Sequence, residues 1–138
     1  MIRYRAGYKY GLAESYHRHI DISGMVCGIT EDVVTEYILL SVAGDLTVVR
    51  GYAWDGATGA PDSDEIMEAS LVHDAGFQLL RERKLPMIYL DKFNNLLKEI
   101  CLEKGMEHVY AQGVFSVVDK LGAHFADPAS AKPVITLP

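Results

Sequence analysis

The sequence predicts an α+β domain, with an N-terminal antiparallel sheet followed by three helices, the first two an antiparallel pair. Three observations carry that reading. Residues 36–42 and 46–50 are largely aliphatic runs joined by Ala43-Gly44-Asp45, a composition that reverses a strand tightly. Three stretches beyond residue 64 instead space their apolar side chains three and four residues apart, the period of a helix buried on one face. Between them, residues 51–64 hold Gly51, Gly56, Gly59 and Pro61 beside Asp62-Ser63-Asp64, which is loop chemistry.

Taken in order, residues 1–50 read as strands. Tyr4, Tyr8, Tyr10 and Tyr16 sit in short segments broken by Gly7 and Gly11, and aromatic side chains suit a pleated surface. Residues 26–29 are a further strand candidate. Past the glycine loop, Asp62, Ser63 or Asp64 can cap a helix, with Glu65 and Glu68 at its positive end. That helix covers about 65–84, and its inward stripe is Ile66, Ala69, Ser70, His73, Phe77 and Leu80. Pro86 interrupts the chain. A second helix, about 89–104, gathers Tyr89, Phe93, Leu96, Leu97 and Ile100, and Gly105 ends it. A third, about 106–125, presents Met106, Tyr110, Val114, Val117 and Leu121. The glycine loop is expected to pack over the first helix. Residues 127–138 carry Pro128, Pro133 and Pro138 and read as an extended, poorly packed tail, which leaves 1–126 as one globular domain.

Composition narrows the function classes. A chain of 138 residues that is 49% hydrophobic can bury a core without staples. Its net charge of −6 and the lack of a basic run argue against nucleic-acid binding. No apolar stretch approaches the roughly 20 residues that span a bilayer, and residues 1–5 lack a signal-peptide core. Cys27 and Cys101 show no CxxC spacing; they are either free thiols in a reducing compartment or a single disulfide. A cytosolic compartment is therefore expected.

Residues 51–91 concentrate the candidate chemistry. His73 and Asp74 lie side by side in an apolar helix, and burying two ionisable groups is costly unless they are paired, metal-bound or used. Asp91, near the start of the second helix, is the carboxylate candidate to orient His73 as a general base. Asp74 with Asp55 and the loop carbonyls of Trp54 and Gly56 would make an all-oxygen site, which suits Ca2+. Each residue also has a structural reading: His73 as a satisfied core histidine, Asp74 as a partner of Arg81 or Lys84, Asp55 as a turn cap, Trp54 as an apolar anchor. His17 and His19 alternate on one strand face, a spacing open both to metal binding and to plain surface exposure.

Two family resemblances rest on these residues. The glycine loop from Tyr52 to Gly59, then His73-Asp74-Ala75-Gly76-Phe77, then Leu90-Asp91-Lys92-Phe93 resemble the compact, disulfide-free phospholipase A2 of parvovirus capsid proteins. That family runs H-D-x-x-Y and then A-D-x-x-F. The resemblance implies a calcium-dependent ester hydrolase with His73 as general base and lipid as partner. Phe77 stands where that pattern has tyrosine, and Asp91 falls on the polar side of its helix, ~150° from the apolar centre. A second resemblance covers more of the chain. Gly51-Tyr52, Asp55, Ala57-Thr58, then Leu71-Val72-His73-Asp74 and Asp91 are similar to a phage and prophage family of unknown function, with the pattern G-F-x-T-D-x-A-S, L-x-H-D-x-L-Y and A-D. It implies a phage-derived protein with a role in virion structure or host interaction, partnered by virion proteins, in which His73, Asp74 and Asp91 form a polar cluster.

Overall fold

A computed structural model describes residues 2–5, 10–22, 28–54, 64–126 and 134–137. The α+β class holds: antiparallel strands come first and three helices follow. Within the span expected as one domain, two compact units are distinguished, Met1–Trp54 with Lys132–Pro138, and Asp55–Ala131.

The described residues of the first unit form strands and turns. Its main sheet has four antiparallel strands in the order β3 (Tyr16–His19), β6 (Asp45–Val48), β5 (Ile38–Leu40), β4 (Val33–Val34). The predicted hairpin is the β5–β6 pair. Ile38 lies opposite Val48, and Leu40 opposite Leu46, all four buried, while Leu39 faces Thr47. A period of two therefore sends one face of each strand inward. Gly44 makes the turn at φ +98°, and a Cβ there would overlap the Ile20 carbonyl oxygen, so the position requires glycine. The candidate strand at 26–29 is not seen at Gly28 and Ile29; residues 26 and 27 lie outside the described residues.

Two short ladders complete this unit. β2 (Tyr10–Gly11) pairs with β7 (Ala53–Trp54), and the Tyr10 and Trp54 rings lie 5.6 Å apart. β1 (Ile2–Arg5) pairs with β8 (Val134–Leu137). Residues 134–137, expected within a loose tail, thus form an antiparallel ladder. The Val-Ile-Thr-Leu run after Pro133 has the β-branched composition that favours it.

The described residues of the second unit form three helices: α1 (Asp64–Arg81), α2 (Tyr89–Glu103) and α3 (His108–Ala126). α1 and α2 are antiparallel, because Glu68 pairs with Lys104 at 2.9 Å while Gly76 lies against Phe93. α2 and α3 are antiparallel by the same logic, with Lys98 donating to Gln112 and Asn94 to Asp119. α1 is the most buried of the three. Beyond its predicted stripe, Leu71, Val72, Ala75, Gln78 and Leu79 are also buried, the pattern of a helix covered nearly all round. Gly76 permits its close approach to α2, since a Cβ would enter the Phe93 ring.

Both α1 and α2 end in the same hydrogen-bonded reversal. After α2, Gly105 at φ +93° donates to Leu102 and Met106 donates to Cys101, as the terminal glycine predicts. After α1, Arg83 takes the same place at φ +59°, donating to Leu80, while Lys84 donates to Leu79. The helix therefore stops at Arg81, short of the predicted Lys84.

Candidate functional site

His73 lies mid-way along α1 and is buried, 9% exposed, as its place in the apolar stripe predicts. Its ring stacks on Phe77 one turn on, with centroids 4.0 Å apart. Nε2 lies 2.8 Å from Oδ1 of the fully buried Asn94 on α2. Asn94 Nδ2 in turn donates to Oδ1 of the exposed Asp119 on α3, at 3.2 Å. One polar chain therefore crosses all three helices.

The chemistry of the three groups orders its hydrogens. A carboxylate oxygen accepts, so Asn94 turns its NH2 to Asp119 and its carbonyl oxygen to His73. That oxygen also accepts, so His73 carries its proton on Nε2 and leaves the Nδ1 lone pair available. Burial lowers the His73 pKa from 6.5 to about 4. The bond to Asn94 favours the charged ring and opposes the shift, whereas the positive charge of Arg81 adds to it. The imidazole is neutral at physiological pH.

Asp91 is not the partner of this ring. It is exposed in the first turn of α2, two residues before Phe93, and so projects about 160° from the side that packs on Gly76 of α1. The expected His73–Asp91 pair is therefore replaced by His73–Asn94. Asp74 is half-buried on α1. Trp54 is buried at the end of β7, whereas Asp55, Gly56 and the rest of the glycine loop lie outside the described residues, and with them its expected packing over the first helix. Among the described residues, no group of three or more His, Cys, Asp or Glu side chains could hold a metal ion. Cys101 is buried and is not in a disulfide. No helix of the described residues is long and apolar enough to cross a membrane.

Sequence reasoning missed Asn94 and Asp119. Asn94 had a signal: it sits directly beside Phe93 and three residues before Leu97, inside the apolar stripe, where an amide is buried only with partners. Asp119 had none, since α3 exposes many polar side chains. Comparison with protein-family models, curated proteins and solved structures finds no match for this chain.

Proposed function

We propose that this chain is a phage-derived protein that works by binding, in the virion or on a host component, and that His73, Asn94 and Asp119 tie its helices together without catalysing a reaction. The environment of His73 carries the reading. A ring whose pKa burial holds at about 4 is a weak base at neutral pH. The group on its Nε2 is a neutral amide, which stabilises a developing imidazolium less than a carboxylate would. The likeness of the 51–91 pattern to the phage family supplies the biological setting, with virion proteins as partners and the host cytoplasm or the particle as location. Exposed apolar side chains, Met87 and Ile88 before α2 and Val109 and Tyr110 on α3, offer contact surface. Mass spectrometry of purified particles and of cross-linked host lysate tests this. The protein should be found with particles or joined to one specific host protein, and His73→Gln should retain that association. Turnover of a phospholipid or simple ester that vanishes in His73→Gln would overturn it.

A second reading, a calcium-dependent phospholipase A2-like hydrolase, draws support from one observation, the tautomer. Nε2 is tied and Nδ1 keeps its lone pair, the arrangement a general base needs. In that reading Asn94 and Asp119 take the orienting role expected of Asp91, while Asp74, Asp55 and the loop carbonyls expected with them would bind Ca2+. Calcium should then raise the melting temperature by mass action, and Asp74→Asn should abolish the shift. Calorimetry without calcium heat at millimolar concentration would remove this reading.

A further inference from the structure

The first unit carries a pair of histidines that the helical site does not use. His17 and His19 are both exposed on β3, while Tyr16 and Arg18 between and before them are half-buried, so the two imidazoles share the solvent face. The antiparallel register sets His17 opposite Thr47 and His19 opposite Asp45 on β6. Each pairing is closed by a side-chain hydrogen bond from the same ring atom: His17 Nδ1 with Thr47 Oγ1 at 3.1 Å, and His19 Nδ1 with Asp45 Oδ1 at 2.9 Å.

That arrangement has a chemical consequence. A carboxylate accepts only, so the neutral form of His19 carries its proton on Nδ1 and keeps a lone pair on Nε2. The Thr47 hydroxyl can accept in the same way and leave His17 Nε2 equally available. Metal-binding histidines are held like this, with the second ring nitrogen donating to a carboxylate or other oxygen that fixes tautomer and orientation. Residues two apart on a strand lie about 6.7 Å apart, within reach of a shared ion once the rings tilt toward one another. Asp45, and Asp21 further along the same alternation, add negative charge beside the pair.

We propose that His17 and His19 form a two-histidine chelate for a divalent transition ion of the zinc class, oriented by Thr47 and Asp45, with water completing the coordination sphere. Imidazole pairs suit Zn2+, Ni2+ and Cu2+ and give no advantage to Mg2+ or Ca2+. The requirement is for two protein ligands only, and Thr47 and Asp45 act as positioning residues.

Isothermal titration of untagged, chelator-treated protein with ZnCl2 tests the site. Saturable uptake of a single ion per chain is expected, with no heat from MgCl2. His17→Ala and His19→Ala should each lower zinc affinity at least tenfold, and Asp45→Asn about 10- to 100-fold through loss of ring orientation. His108→Ala should leave it unchanged. All four positions are exposed, and circular dichroism verifies that each variant folds. Zinc uptake that survives the His17→Ala/His19→Ala double variant, or no saturable uptake at all, would reduce the pair to surface hydrogen bonds and overturn the proposal.

Discussion

Acidification should weaken this fold through His73 before general acid unfolding sets in. The ring titrates near 6.5 in the unfolded chain and at about 4 in the folded one, so the unfolded state binds the extra proton between those values. Stability from this group is complete above pH 6.5 and is lost as pH falls toward the folded value. Each pH unit inside that window removes about 1.4 kcal/mol. Lowering the pH by two units from 6.5 should therefore remove about 2 to 3 kcal/mol, a large share of an ordinary domain's 5–15 kcal/mol. His73→Gln keeps an N–H donor for Asn94 and cannot titrate. Urea unfolding followed by circular dichroism, on both proteins at neutral and acidic pH, isolates the histidine, because carboxylate contributions cancel in the difference. The wild type should lose the extra 2 to 3 kcal/mol that the variant keeps. Parallel loss in both proteins would refute the buried, neutral state of His73.

Three further outcomes follow from the helical unit. Asn94→Ala strands the His73 Nε2–H and withdraws the donor from Asp119, and should cost about 1 to 3 kcal/mol in denaturant melts while lowering the His73 pKa further. Gly76→Ala would gain about 1 kcal/mol of helix propensity but drives a Cβ into the Phe93 ring, so it should be net destabilising, and Phe93→Leu should relieve it. Arg83→Gly removes a side chain from a left-handed position and should raise stability by about 1 kcal/mol, read as a higher melting temperature.

Legibility in the sequence followed the strength of local signals. The β5–β6 hairpin was readable because two aliphatic runs flank Ala43-Gly44-Asp45, where Gly44 marks the reversal. Gly105 announced the end of α2, whereas Arg83 hid the end of α1, since an arginine in a left-handed turn has no compositional mark. β8 was obscured by the prolines around it, and its partner β1 lies more than a hundred residues away in the chain. His73 was placed correctly by helical period alone. Its partner was not, because charge drew attention to Asp91 while the wheel position favoured the neutral Asn94. A pairing across two helices depends on which faces meet, and the Gly76–Phe93 contact that decides this is tertiary.

Long-range 1H–15N NMR on selectively labelled histidine reads the state of His73 directly. The tie between the helices requires a neutral ring protonated on Nε2, with Nδ1 unprotonated and a pKa of about 4. In Asn94→Ala the Nε2 proton should lose its protection from solvent exchange. A His73 that titrates near its ordinary value of 6.5, or that carries its neutral proton on Nδ1, would contradict the His73–Asn94–Asp119 chain.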